Sequence, residues 1–259
     1  MKTIKMLALA LVLIGATTTA NAAIPLPVDD YVGISFWIIS MGMLAATAFF
    51  FMEQANVAVQ WRKSVNVAGL VTGIAFINYM YMRGAWVKTY QTGDTLTVYR
   101  YLDWIITMPL QMVEFYLILA AVRKISVYIF WRILAGSLVM VVSGFLGELN
   151  YINPLLGFVI AVVGWIYVLY EIYSGEAGEM VAKTGNKSLV TAYSEMRIIV
   201  TIGWAIYPLG YVFSYLTGSG SLDSNSLNVI YNLADFINKI AFGLIIYACA
   251  VFNTTSRIR

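Results

Sequence analysis

Long apolar runs alternate with short polar connections along most of the chain after residue 30. Seven of these runs are long enough for an α-helix to cross the hydrocarbon core of a bilayer, which takes about 20 residues. The pattern predicts an all-α membrane protein, a seven-transmembrane-helix bundle without a soluble domain between its helices. The predicted spans cover residues 31–52, 65–81, 96–122, 126–146, 152–173, 190–216 and 227–252.

The first 22 residues have the pattern of a secretory signal peptide. Lys2 and Lys5 precede a short apolar run, and residues 20–22 read Ala-Asn-Ala, the small-x-small form of a cleavage site. An eighth helix is the weaker interpretation because this apolar run is too short to span a bilayer. We expect residues 1–22 to be cleaved, which leaves residues 23–259 as the mature domain with its N-terminus outside.

The distribution of basic residues predicts the orientation of the bundle. Lysine and arginine concentrate in the first, third and fifth connections and in the tail, and an excess of such residues marks the cytoplasmic side. They are Arg62, Lys63, Arg123, Lys124, Lys183, Lys187, Arg257 and Arg259. Arg83 and Lys88 are the main basic residues on the other side. We therefore expect an outside N-terminus, a cytoplasmic C-terminus, and third and seventh helices that both run inward.

Composition excludes several classes of function. Hydrophobic residues make up 61% of the chain, which is typical of a protein in contact with a lipid bilayer. The net charge is +3 without a basic block, so we expect no nucleic-acid partner. The chain has no histidine and a single cysteine, Cys249, so we expect no metal site and no internal disulfide.

The third predicted span carries Arg100, Asp103 and Glu114, although ionisable groups at membrane depth are costly. Asp103 and Glu114 are separated by about three helical turns, so they share one face and stand about 16 Å apart along the axis. Two acids in this arrangement indicate a route for protons. Snorkelling side chains at a helix end, or a core helix of a soluble protein, are the alternative interpretations.

The seventh predicted span places Asp235 and Lys239 at positions i and i+4 in mid-membrane. A structural ion pair is one interpretation, but buried ion pairs are often no better for stability than apolar packing. A lysine in apolar surroundings can form a Schiff base with an aldehyde, and a nearby carboxylate can hold the resulting cation protonated. Asp103 and Asp235 are then the candidate counterions.

Several longer motifs occur along the chain. They are Gly-Leu-Val-Thr-Gly-Ile-Ala-Phe before Tyr-Met-Tyr-Met-Arg-Gly, then Arg-Tyr-Leu-Asp-Trp, Glu-Phe-Tyr-Leu-Ile-Leu-Ala-Ala, Gly-Trp-Ala-Ile-Tyr-Pro, and Ile-Tyr-Asn-Leu-Ala-Asp-Phe-Ile-Asn-Lys. These motifs resemble those of the microbial rhodopsins, and among them the proteorhodopsins. The resemblance covers essentially the whole mature sequence and implies a covalently bound all-trans retinal.

The resemblance also implies roles for individual residues. Lys239 matches the lysine that binds retinal, Asp103 the counterion and proton acceptor, and Glu114 the proton donor. Gln111 lies where a glutamine accompanies blue absorption and a leucine green absorption. The other matches are Asp235 as the second counterion, Arg100 on the exit side, and Trp104, Trp204 and Tyr207 as residues lining the retinal.

The triplet Asp103, Thr107 and Glu114 matches the outward proton pumps of the family. The resemblance therefore implies a light-driven outward proton pump, a transporter rather than an enzyme, in a bacterial inner membrane. It also implies a homo-oligomer, a pentamer or a hexamer. A sensory photoreceptor and a light-gated ion channel are the alternatives; sensory relatives commonly lack a carboxylic donor, so Glu114 argues against the former.

Asn78 departs from the family, because proteorhodopsins usually carry a histidine at this position of the second helix. An asparagine amide is able to donate a hydrogen bond to the Asp103 carboxylate, and we expect this contact. Glu148, at the outer end of the fourth helix, is expected on the solvated surface, with a role in proton release as the alternative. A solvated cytoplasmic surface is also expected for Glu171, Glu176, Glu179 and Glu195, with a metal or partner site as the alternative.

Overall fold

The computed structural model describes residues 27–89, 96–216 and 223–256. Within these ranges, seven helical stretches are long and apolar enough to cross a membrane, so the prediction of an all-α, seven-span protein is confirmed. Three predicted features lie outside the described residues. They are the signal peptide over residues 1–22, the flexible turn that the Gly-Ser-Gly-Ser sequence of residues 218–221 predicts, and the basic residues Arg257 and Arg259.

The helices form six single spans and one composite span. Helices α1 to α5 and α9 each supply one span, the short α6 extends the fifth, and α7 and α8 together form the sixth. Among the described residues the helices are α1 (Tyr31–Glu53), α2 (Arg62–Thr89), α3 (Thr97–Val122), α4 (Val127–Glu148), α5 (Pro154–Tyr173), α6 (Glu176–Ala182), α7 (Lys187–Ile198), α8 (Ile206–Tyr211) and α9 (Ser224–Thr255).

Helix starts follow the local sequence. Asn153 caps α5 by accepting a hydrogen bond from the backbone N–H of Leu156 at 3.2 Å, and Pro154 occupies the first helical position, an Asn-Pro pair that is typical of a helix start. Helix α2 is longer than its predicted span because it continues past Arg83. The Arg83 guanidinium is buried over the ring of Trp37, 5.0 Å from the ring centre, so its charge does not end the helix.

The sixth span is irregular where the sequence places Pro208. Two π-helical segments, Ile199–Gly203 and Val212–Leu216, flank α8, which contains the proline. The wider turn of the first segment is closed by a hydrogen bond from the Trp204 N–H to the Ile199 carbonyl at 3.0 Å. A proline cannot donate to the helical ladder, so regular α-helix is interrupted near the middle of this span.

Helices α4 and α5 pack backbone against backbone. A Cβ atom added to Gly164 of α5 would lie only 2.9 Å from the backbone nitrogen of Met140 on α4, so this position requires glycine. The outward faces of the bundle are apolar, as contact with a lipid bilayer requires. Large side chains that are more than half exposed include Trp131, Val163, Ile202 and Phe252.

Helix α9 packs against α1, α2 and α7 and also contacts α3. Its inner face and that of α3 carry charged side chains, which the surrounding helices exclude from the surface. Five of them have exposures of 2% or less: Arg100, Asp103, Glu114, Asp235 and Lys239. The charged residues that the sequence places at membrane depth therefore lie inside the protein and not on its lipid-facing surface.

Candidate functional site

Lys239 of α9 lies between two aspartates. Its Nζ donates to Oδ2 of Asp235, one turn earlier on the same helix, at 3.0 Å. It also donates to Oδ2 of Asp103, which α3 presents from the opposite side. The helical spacing of Asp235 and Lys239 produces the first contact, and the packing of α3 against α9 produces the second. The buried ammonium is thus balanced by carboxylates from two helices.

The two aspartates have different surroundings. Asp235 accepts hydrogen bonds from the hydroxyls of Tyr79, at 2.8 Å, and Tyr207, at 2.7 Å. The indole N–H of Trp104 approaches both of its carboxylate oxygens, at 3.2 and 3.3 Å. Within the described part of the chain, Oδ1 of Asp103 has no hydrogen-bond partner. Asp235 is therefore fixed by neutral donors as a structural anion, whereas Asp103 keeps one oxygen available to receive a proton.

Thr107 lies one turn after Asp103 on α3. Its hydroxyl donates to the main-chain carbonyl of Asp103 at 3.0 Å, and it is completely buried. Such a contact fixes the threonine rotamer and the local backbone of the turn. Thr107 therefore adjoins Asp103, the predicted acceptor, through the backbone of the helix.

Arg100 lies one turn before Asp103 and is held by two asparagines of α9. Its Nη2 donates to Oδ1 of Asn228 at 2.7 Å and to Oδ1 of Asn232 at 2.9 Å. Its guanidinium carbon lies 5.3 Å from the ring centre of Tyr231. Neither asparagine was predicted as a partner of Arg100, because they are 128 and 132 residues away along the chain. Among the described contacts, its Nε and Nη1 have no hydrogen-bond partner.

Glu114 is isolated from the other charges. It is 1% exposed, and neither carboxyl oxygen has a hydrogen-bond partner among the described residues. The hydroxyl of Ser64 on α2 is the polar group that faces it. The next residue, Phe115, packs against Tyr193 and Phe242, with ring centres 4.9 and 5.8 Å apart. An unpaired ionised carboxylate is very costly in such surroundings, so this acid is suited to storing a proton.

Gln111 lies on α3 between the two acids. Its side-chain Nε2 donates to the backbone carbonyl of Asn238 on α9 at 3.2 Å, and Asn238 immediately precedes Lys239. Both side chains are almost fully buried. The amide predicted to influence colour is therefore fixed beside the lysine.

Aromatic side chains form the walls of a cavity that leads away from this cluster. Trp104 packs edge-on against Tyr207 and Tyr231, with ring centres 4.9 and 5.5 Å apart. The cavity runs toward α4 and α5 and is partly open to the surroundings of the bundle. Its lining includes Trp104, Met108, Val141, Gly144, Phe158, Trp165, Trp204, Tyr207 and Pro208. A mostly apolar lining of this kind suits a hydrocarbon ligand.

Three expectations from the sequence are wrong. Glu148 is not on the solvated surface, because it is 7% exposed and borders the cavity beside Tyr101. Glu171 is also buried, since Arg132 of α4 donates to it at 3.1 Å and balances its charge. Asn78 donates to the backbone carbonyl of Tyr99 at 3.0 Å, and no described hydrogen bond joins it to Asp103.

The expectation for the remaining acids is mostly confirmed. Glu179 and Glu195 are exposed, and Glu179 pairs with Lys183 one turn later at 3.0 Å. Glu176 is half-buried because it shares Arg132 with Glu171, at 2.5 Å. No described hydrogen bond or ion pair joins these residues to the buried cluster.

Fold and site together define a seven-helix membrane protein built around a buried lysine, its two carboxylates and an aromatic cavity. The bacteriorhodopsin-like protein family matches residues 30–253. The chain belongs to this family, the microbial rhodopsins, and within it to the proteorhodopsins.

Two relatives and one solved structure illustrate the similarity. A blue-light absorbing proteorhodopsin of Gamma-proteobacterium Hot 75m4 is 50% identical over 237 residues, 92% of this chain and 93% of the relative. A green-light absorbing proteorhodopsin of Gamma-proteobacterium EBAC31A08 is 46% identical over 243 residues, 94% and 96% of the two chains. The crystal structure of a blue light-absorbing proteorhodopsin from Med12 is 46% identical, with a TM-score of 0.73 over 86% of this chain and 99% of that chain.

Proposed function

We propose that this protein is a light-driven pump that moves protons from the cytoplasm to the exterior, with all-trans retinal bound to Lys239. The observation that carries the proposal is the placement of two buried acids on α3. Asp103 contacts the lysine nitrogen directly, whereas Glu114 lies further along the helix without a charged partner among the described residues. A proton carrier between them has an acceptor on one side and a donor on the other.

The residues of the site fit retinal. Lys239 offers a buried amine for a covalent link, and the adjoining cavity is apolar and lined by Trp104, Trp204 and Tyr207. Asp103 and Asp235 balance the positive charge that the lysine nitrogen carries. Bound retinal supplies light absorption and a light-driven change of shape. The names of the blue-light and green-light absorbing relatives support a bound chromophore.

Asp103 is the acceptor in this proposal. It touches the Lys239 nitrogen and has a free carboxylate oxygen in the described structure, so a proton need move only across one hydrogen bond. Asp235 remains the second counterion because Tyr79, Tyr207 and Trp104 already donate to it. Arg100 lies on the far side of Asp103 from Glu114, where its charge favours onward release of the proton.

Glu114 is the donor that returns a proton to the Lys239 nitrogen. Its apolar surroundings keep it protonated until the lysine nitrogen requires a proton. The direction of transport follows from the orientation predicted by the signal peptide and the basic connections. With the start of α3 outside, Asp103 faces the exterior and Glu114 faces the cytoplasm.

Location and assembly follow from the same proposal. Residues 1–22 direct the chain to the inner membrane of a bacterium and are then removed. The mature chain spans that membrane as a pentamer or hexamer. Intact-mass spectrometry of the purified protein tests the cleavage, and native mass spectrometry in detergent tests the number of copies.

Illumination of cells or vesicles, with a pH electrode in the medium, tests the function. Outward pumping by cells acidifies the medium in light, and a protonophore abolishes the change. Lys239→Ala cells serve as the control for heating and for other light effects. A sensory photoreceptor leaves the pH unchanged, and a light-gated channel dissipates an imposed gradient without building one. Either result, or light-driven alkalinisation by cells, contradicts the proposal.

A further inference from the structure

Asn238 is a buried amide beside the reactive lysine that the proposed mechanism does not use. It precedes Lys239 on α9, is 3% exposed, and directs its side chain toward the sixth span. Its Nδ2 donates to the backbone carbonyl of Gly203 at 3.1 Å and to the hydroxyl oxygen of Tyr207 at 3.3 Å. Both hydrogens of the amide are therefore engaged by one span.

The Gly203 contact ties Asn238 to an irregular part of the backbone. Gly203 ends the π-helical segment Ile199–Gly203, whose carbonyls do not follow the regular α-helical ladder. A Cβ atom at this position would lie 3.0 Å from Cγ of Asn238 and closer still to its Oδ1, so only glycine admits the amide. The segment thus packs directly on Asn238, and this side chain connects it to α9.

The Tyr207 contact connects Asn238 to the counterions. Tyr207 uses its single hydroxyl hydrogen to donate to Oδ1 of Asp235 at 2.7 Å, so its oxygen accepts from Asn238. Donors linked in this way polarise one another, and the Asn238 contact strengthens the bond from Tyr207 to Asp235. Asp235 in turn accepts from Lys239 at 3.0 Å. Asn238 is therefore two hydrogen bonds from the carboxylate that faces the lysine nitrogen.

We propose that Asn238 is a positioning residue that holds the Tyr207 hydroxyl on Asp235 and thereby sets the negative charge presented to the Lys239 nitrogen. The proposal rests on retinal binding to Lys239, which supplies the visible readout. Weaker donation from Tyr207 leaves more charge on Asp235 and stabilises positive charge at the nitrogen in the ground state. Loss of the Asn238 amide therefore shifts the visible band to shorter wavelength.

A double-mutant cycle tests this route. Asn238→Leu nearly conserves the shape of the side chain but removes both donors, Tyr207→Phe removes the hydroxyl, and the double variant removes both groups. We expect Asn238→Leu to shift the band to shorter wavelength in the native background and to lose more than half of that shift in the Tyr207→Phe background. Equal shifts in the two backgrounds show that Asn238 does not act through Tyr207 and overturn the proposal.

Asn253→Leu is the matched control. Asn253 is also an α9 amide that donates twice, to Cys249 O and Ser188 Oγ, both at 2.8 Å, but it lies more than three turns from Lys239. We expect no shift of the visible band in Asn253→Leu. If Asn238→Leu does not assemble, Asn238→Ser keeps one donor and should shift the band in the same direction; an unchanged band in this variant contradicts the proposal.

Amide hydrogen exchange supplies a readout that does not require retinal. In the chain prepared without retinal, Asn238→Leu leaves the Gly203 carbonyl without its bridge, so the amides of residues 199–207 should exchange faster than in the native chain. Unchanged exchange there overturns the positioning role even where the colour changes. A native chain that shows no visible band with retinal contradicts the proposed function instead, so the two failures are distinguishable.

Discussion

The side-chain amide of Gln111 donates to the backbone carbonyl of Asn238, the residue before Lys239, over 3.2 Å. This contact fixes a polar group of α3 against the turn of α9 that carries the lysine. Because both residues are buried, the amide dipole acts in surroundings that screen it little.

Gln111→Leu should move the visible band to longer wavelength. A fixed polar amide near the lysine favours the charge distribution of the ground state over that of the excited state, and leucine removes this preference. The absorption maximum of the purified variants measures the effect. Gln54→Leu, at the end of α1, is the control and should leave the band in place. An unshifted band in Gln111→Leu shows that this amide does not influence the chromophore.

Lys239→Ala should bind no retinal covalently and yield a colourless protein. Only this lysine lies buried against two carboxylates among the described residues. Absorption after denaturation measures the covalent link, because a denatured chain retains only what is bonded to it. Lys183→Ala, which removes an exposed lysine, should keep its colour. A visible band that persists in denatured Lys239→Ala places the attachment elsewhere.

Glu114→Gln should slow the return of a proton to the Lys239 nitrogen by about 100-fold, as expected for loss of a positioned acid. The initial transfer to Asp103 should proceed at nearly its native rate, because Asp103 contacts the lysine and Glu114 does not. Flash spectroscopy separates the two steps. The exposed Glu179→Gln should change neither step, and an unchanged return rate in Glu114→Gln removes this residue from the donor role.

Gly164→Ala should destabilise the bundle by about 1–3 kcal/mol, the usual cost of overpacking. The added methyl group meets the backbone nitrogen of Met140 at 2.9 Å, so α4 and α5 must separate. Gly84→Ala is the matched control, since nothing lies within 4 Å of its added Cβ, and better helix propensity should stabilise it by up to about 1 kcal/mol. Thermal unfolding of both variants measures the difference, and equal stabilities contradict the close packing.

Local spacing within one helix made part of this structure predictable. The seven spans follow from the length of the apolar runs, and the pairing of Asp235 with Lys239 follows from an i to i+4 spacing. The aromatic wall and the contact of Asp103 with Lys239 join residues of different helices. The resemblance to a family anticipated them, whereas hydrophobic periodicity carries no such information.

Contacts that depend on the packing of two helices could not be predicted from the sequence. Burial of Glu171 requires Arg132, which is 39 residues away, and the asparagines that hold Arg100 are on another helix. The π-helical segment Ile199–Gly203 was not predicted either, because its residues are apolar like those of any span and its contact with Asn238 comes from another helix. The asparagines are polar residues inside a predicted span, and this is the signal from which a buried contact could have been predicted for them.

Within the described contacts, Asn78 does not make the hydrogen bond to Asp103 that was expected from the sequence. Its amide donates to the Tyr99 carbonyl, so Asn78→Ala removes no described hydrogen bond of Asp103. The pH at which acid changes the colour of the protein reports protonation of the carboxylate beside Lys239. This midpoint should be unchanged in Asn78→Ala. It should move in Asn232→Leu, because Asn232 holds the Arg100 guanidinium one turn from Asp103. A midpoint that moves as far in Asn78→Ala as in Asn232→Leu shows that Asn78 acts on Asp103 after all.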